Sequence, residues 1–214
     1  MCGRASQKGT KEDFTEHIYG FSPGADLNYP NIKPTQNMAV VVNEDNAIKT
    51  VEARWWMQKE GSKEFNTKFA TFNARSESLA DSFLYKPALA QRRCLVPVSS
   101  FYEWKVKGKP PVEIFISKEK PFALAGLWSN WYENNEHRYS FTVITCEPND
   151  FMLSIHNRMP VILLDLGSQE LWLKKGDRDL LKPFERELKA NQLDDSLENI
   201  YKQKNPMKSL EFIT

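Results

Sequence analysis

A single α+β domain, richer in strands than in helices, is predicted for this chain by three observations. Its 214 residues are 41% hydrophobic and no Gly/Ser/Pro-rich linker divides them, so residues 1–214 are taken as one unit. Short β-rich stretches with alternating polarity recur between turn signals. Helical spacing is confined to brief segments near the start, the middle and the end of the chain.

Taken in order, Thr10 with Asp13 three residues later has the form of a capping box, and Phe14, His17, Ile18 and Phe21 follow at helical spacing. A short helix is predicted there, with His17 a structural residue at its edge. Ser22 to Pro30 is turn-rich, and Tyr29 to Gln36 carries Pro30 and Pro34, which exclude a helix interior and favour an ordered loop. Met38–Val42 and Ile48–Trp55 read as a hairpin around Asn43–Asn46. Neighbours in a strand face opposite ways, so of Trp55 and Trp56 one is expected inside and the other toward solvent or ligand. An exposed indole there would be a platform for an unpaired base, and burial of both is the alternative. Lys59–Lys68 reads as a polar loop, Phe69–Phe72 as a short strand, and Ser76 as the cap of a helix reaching Leu84. Asn73, Ala74 and Arg75 therefore fall at a strand-to-helix junction, where they either converge on a ligand or serve as an ordinary capping group.

Arg92–Val98 is an apolar run with Cys94 in its core. It leads into Ser100–Lys105, where Phe101, Glu103 and Lys105 share one strand face and Tyr102 and Trp104 the other. A carboxyl among aromatics has a raised pKa, which suits Glu103 to general acid or base work near neutrality; a surface strand position is the bland alternative. Lys107–Pro111 reads as a hairpin loop, and Val112–Ile116, Phe122–Trp128 and Tyr139–Thr145 as strands, with a solvated His137 in the turn between the last two. Asn149 or Asp150 caps a short helix through Ile155 that delivers His156 at its C-terminal end, where the charged imidazole is favoured. Met159–Leu164 follows as a strand, Ser168–Lys174 and Asp177–Lys189 as amphipathic helices, and Leu210–Ile213 as a final strand.

Composition narrows the function. No apolar run approaches the ~20 residues of a membrane span and the start lacks the apolar core of a signal peptide, so a cytoplasmic protein is expected. Cys2, Cys94 and Cys146 are odd in number and have no C-x-x-C spacing, which argues against a disulfide framework or a zinc ribbon. Neither a metal nor a cofactor is expected. The net charge of +1 conceals a gradient: residues 1–110 carry +4 and the remainder −3. A polyanion should meet the face built by the first half.

The opening, Met1-Cys2-Gly3-Arg4, carries the distinctive chemistry. Removal of Met1 would give Cys2 a free α-amine beside its thiol, with reference pKa values of about 8 and about 8.5. Such an aminothiol reacts with an aldehyde in two steps: the amine forms an imine and the thiol closes on the imine carbon to give a thiazolidine. An internal cysteine has no free amine to begin this.

With Phe72–Glu77, Ser100–Lys105 and Ile155–Leu163 added to that opening, together with Pro34-Thr35 and Gly126-Leu127-Trp128, the sequence resembles the SOS response-associated peptidase (SRAP) family over nearly its whole length to Leu164. The resemblance implies a mainly antiparallel, barrel-like β core with peripheral helices, and processing of abasic sites in single-stranded DNA through a covalent Cys2 adduct. It also implies autoproteolytic and lyase-type activities in a monomer that is nucleoid-associated when DNA-bound. Asn73 would orient the Cys2 amine, Glu103 would handle proton transfers, and His156 would shuttle protons. Arg4, Arg75 and Arg158 would hold phosphates, with Pro34, Trp55 and Trp56 also on the DNA face. Three positions depart from the family pattern: Trp56-Met57-Gln58 in place of a Gly-Leu-Ile-Pro type segment, Asn157 where an acid is common, and Ser100 where Gly is usual. Two rivals stay open, an N-terminal-Cys glutamine amidohydrolase and a non-covalent single-strand binding module; a zinc enzyme lacks ligand spacing.

Overall fold

The computed structural model describes residues 2–66, 68–106, 108–117 and 120–193. The chain begins with β1 (Ala5–Gly9) and α1 (Lys11–His17), whose start is fixed by reciprocal bonds: the Thr10 hydroxyl accepts from the Asp13 amide and the Asp13 carboxylate accepts from the Thr10 amide. Phe14, Ile18 and Phe21 are buried as the spacing requires, although the helix stops at His17 because Ile18 turns extended.

The segment expected to be a loop contains β2 (Leu27–Ile32), which pairs with β1 at the edge of its sheet. An edge has one side free of ladder bonds, which is where a strand tolerates Pro30. β3 (Asn37–Glu44) and β4 (Ala47–Trp55) form the expected hairpin, and Asp45 and Asn46 both take the positive φ of a tight two-residue turn.

The next stretch differs from its sequence reading. The strand is β5 (Asn73–Arg75) and not Phe69–Phe72, and Ser76–Ser78 is a single 3₁₀ turn without a side-chain cap. The helix α2 (Tyr85–Gln91) starts later, with the Ser82 hydroxyl accepting from the Tyr85 amide. Pro87 sits in its first turn, where a missing N–H leaves no bond unmade.

Then come β6 (Arg93–Val98), β7 (Ser100–Glu103) and β8 (Val112–Phe115). The long β9 (Phe122–Glu133) and β10 (Glu136–Cys146) are joined through Asn134 and Asn135, a second positive-φ pair. After α3 (Asp150–Leu153) lie β11 (Met159–Pro160), β12 (Ile162–Leu163), α4 (Leu166–Lys175) and β13 (Lys189–Gln192). No helix spans Asp177–Lys189 as the sequence pattern led one to expect: a 3₁₀ turn at Arg178–Leu180 ends before Pro183, which a helix interior would not accept. The expected strand at Leu210–Ile213 lies outside the described residues.

Two sheets result. One is antiparallel throughout, in the order β13-β8-β7-β1-β2. In the other, β10-β4-β3-β6-β9 closes on itself because β9 pairs back onto β10, giving a five-stranded barrel with β5, β11 and β12 attached. The core is therefore the mainly antiparallel barrel expected, except that β4 and β5 both run parallel to β10.

Gly126 marks the crossing of β6, β9 and β10. A Cβ there would lie 2.7 Å from Cys94 Sγ and 2.8 Å from the Thr142 carbonyl oxygen, so any side chain would push strands apart. Behind β6, the buried Arg93 donates to the carbonyls of Leu89 and Ala90 at the end of α2 and to those of Trp172, Leu173 and Lys174 at the end of α4. One guanidinium thus satisfies the exposed ends of two helices.

Candidate active site

Pairing of Ala5 with Phe101 and Ser6 with Ser100 lays the start of the chain along β7, and the Tyr102 amide donates to the Arg4 carbonyl at 3.0 Å. Continuing that register brings Cys2 toward Glu103. Both are buried. Burial pushes the Cys2 thiol well above its ordinary range, and the negative charge of Glu103 adds to the rise. Burial likewise raises the Glu103 carboxyl, with the His156 imidazole among the groups that oppose the rise. Glu103 is therefore within electrostatic reach of both Cys2 and His156.

Asn73 enters from the first residue of β5. Its Nδ2 donates to the Cys2 carbonyl at 2.8 Å, while its Oδ1 is buried without a partner among the described residues. Beneath it, the Tyr85 hydroxyl donates to the Asn73 carbonyl at 3.3 Å. The sequence reading missed Tyr85, and helical spacing alone held no signal for its contact with a strand twelve residues away.

His156 follows α3, and its amide donates to the Met152 carbonyl at 2.7 Å. The ring is held from the Nδ1 side: that nitrogen lies 3.0 Å from the Arg158 amide and 3.3 Å from the Arg158 carbonyl. The Arg158 guanidinium is engaged: it donates to both Glu77 carboxylate oxygens at 2.9 Å and to the Thr145 carbonyl at 2.8 Å. This differs from the expectation of an arginine held ready for phosphate. Its fork instead ties the His156 loop to the turn that follows Arg75, and Glu77 lay inside the sequence motif that could have indicated it.

Trp55 corrects the sequence reading. It is wholly buried, stacked on Phe141, and its Nε1 donates to the Phe72 carbonyl, so no face is left for a base. Trp56 does point the other way. It is half-buried against Phe65 and Phe72 and donates to the Asn66 carbonyl at 3.2 Å.

Arg4 lies over Trp104, its guanidinium carbon 5.2 Å from the ring centroid. Lys33 is close by: burial lowers its amine pKa first and the charge of Arg4 lowers it further. Pro34 and Thr35 form the centre of a turn closed by the Gln36 amide on the Lys33 carbonyl, and Thr35 has φ of 80°. A positive φ is costly for a β-branched residue. It is held by the Thr35 amide on the Trp55 carbonyl and by Arg54 Nε on the Thr35 carbonyl. Arg75 is exposed at the end of β5, in register with Thr145 of β10.

A closed barrel with a second sheet, bearing a buried thiol and carboxyl with a partly buried carboxamide and imidazole from four distant parts of the chain, defines a narrow class of protein. A family model described as SOS response associated peptidase (SRAP) matches residues 1–200, and the chain belongs to that family. It is 34% identical over 221 aligned positions to the abasic site processing protein YoqW of Bacillus subtilis (strain 168), with 96% of this chain and 97% of that one covered. To the abasic site processing protein YedK of Escherichia coli (strain K12) it is 25% identical, with 82% and 80% covered. A solved protein structure from Bordetella bronchiseptica superposes with a TM-score of 0.76 over 90% of this chain and 100% of that one at 24% identity, and shares the fold. No helix among the described residues is long and apolar enough to cross a membrane.

Proposed function

We propose that this protein processes abasic sites in single-stranded DNA by forming a thiazolidine between Cys2, once Met1 is removed, and the ring-opened sugar. The observation that supports it best is the Asn73 carboxamide, bonded to the Cys2 carbonyl through Nδ2 and left with a buried, unpartnered Oδ1. A freed α-amine on the same residue is the natural donor for that oxygen.

The steps balance as follows. The Cys2 amine adds to the C1′ aldehyde to give a carbinolamine. Glu103, whose neutral form is favoured by burial, gives its proton to the departing hydroxyl, and water leaves as the iminium forms. The resulting carboxylate takes the proton from Cys2 Sγ as sulfur bonds to the iminium carbon. One water is lost and Glu103 ends in its starting state. His156, its ring oriented by the Arg158 backbone at Nδ1, moves protons as the sugar ring opens. Arg4, Arg75 and the strained turn at Pro34 offer the cationic and rigid surface for the strand.

Mature protein mixed with abasic single-stranded DNA should give a crosslink that survives denaturation without reductant. Cys2→Ala keeps an amine and loses the trap, so it should crosslink only when borohydride reduces the imine. Stable crosslinking by Cys2→Ala without reductant, or none by the parent, would sink the proposal, and glutaminase activity should then be assayed.

A further inference from the structure

We propose that unpaired bases flanking the abasic nucleotide stack on a second site, built by Phe69 and Phe83. This deepens the reading of the chain as a single-stranded DNA enzyme and rests on it.

Phe83 is 83% exposed and Phe69 64% exposed, the two aromatics among the exposed large apolar side chains of the described residues. They line one hollow of about 420 Å³, floored by Met57, Thr71 and Leu84. Such exposure of two aromatics on one hollow is unusual without a ligand, since burying one such ring is ordinarily favourable. Each ring also has a cation on it: Lys59 Nζ lies 5.4 Å from the Phe83 centroid and Lys68 Nζ 5.6 Å from that of Phe69. No carboxylate lines this hollow; Lys59 is its one charged lining residue among the described ones.

An aromatic face with an adjoining ammonium is the pairing that a single strand requires, one part for the base and one for its phosphate. A neutral apolar peptide would gain nothing from the lysines. The hollow also lies close in the chain to the reactive cluster. Thr71 forms part of its wall, is two residues from Asn73, and accepts through its carbonyl from the Met57 amide at 3.3 Å. The hollow and the reactive cluster are thus joined by the short stretch from Thr71 to Asn73.

The test measures non-covalent affinity with abasic strands reduced by borohydride beforehand, so that no imine can form. One strand carries several unpaired nucleotides on both sides of the site and the other carries a single neighbour. The parent should bind the long strand more tightly, and Phe83→Ala or Phe69→Ala should weaken long-strand binding by about 5- to 150-fold, the range for loss of one stacked base. Short-strand binding should be unchanged, and Phe83→Trp should retain the parent's affinity. Parent-like binding of the long strand by both alanine variants overturns the proposal, as does a parent that binds the two strands equally. The reactive, unreduced strand is run in parallel: absence of a crosslink with the parent there would overturn the Cys2 mechanism, while the reduced strands still report on the hollow.

Discussion

In the proposed mechanism Glu103 has to be neutral when it gives a proton and charged an instant later when it takes one. Its burial at the end of β7 favours the neutral form, and the nearby imidazole keeps the charged form within reach. Glu103→Gln keeps shape and neutrality but removes the exchangeable proton. It should slow adduct formation by about 10²- to 10⁴-fold and leave binding of a reduced abasic strand nearly unchanged. Equal losses of binding and rate would instead mark Glu103 as a folding residue. The same substitution carries a stability signature. Below the ordinary value of 4.5 the carboxyl is protonated in both folded and unfolded chains. As pH rises past 4.5, the unfolded chain gives up its proton first, so the parent loses stability until the higher folded value has been passed. Glu103→Gln cannot lose that proton and should gain in Tm relative to the parent over this window. A Tm difference that does not change from acid to mildly alkaline pH would contradict the raised carboxyl.

Between elements, the Arg158 and Glu77 pair separates two arginines that the sequence motifs presented alike. Arg75 is exposed, whereas Arg158 is anchored to a carboxylate and a carbonyl. Arg75→Ala should flatten the dependence of log K on log salt by roughly 0.7 if it neutralises one phosphate. Arg158→Ala should change that slope less and should lower Tm by roughly 2–4 °C, as loss of about 1 kcal/mol does in a chain of this size. The reverse ranking of slopes would return Arg158 to the DNA face. What was legible in the sequence at this scale follows the range of the signal. The capping box at Thr10, the β3–β4 hairpin and the delivery of His156 by α3 are each set by residues a few positions apart. The seating of β1 on β7 and of β5 on β10 was not legible because those partners lie about 70 to 96 residues away in the chain. Trp55 was half legible: alternation said that one indole of the pair goes inside, but only the stack on Phe141 decides which.

For the molecule as a whole, closure of the barrel depends on three strands meeting at Gly126. Gly126→Ala would set a methyl against the sulfur of Cys94 and the backbone of β10, and the backbone cannot rotate away. It should cost about 1–3 kcal/mol, read as a fall in Tm without any specific loss of DNA contact. An unchanged Tm would mean that the barrel can relax at this crossing. The motif Gly126-Leu127-Trp128 thus has a packing reason, whereas the motifs around Asn73, Glu103 and His156 meet at the reactive cluster.

The pairing of β1 with β7 also has a consequence for timing on the ribosome. Residues 2–6 cannot be seated until Ser100–Glu103 have been made, and Asn73 precedes them by only a little. At 5–20 residues per second, about 100 residues take roughly 5–20 s to emerge. Throughout that interval the beginning of the chain is open to an aminopeptidase, and afterwards Cys2 is sealed. Under the proposed mechanism, the order of synthesis gives the trimming enzyme its access to Met1 before Cys2 is buried against β7.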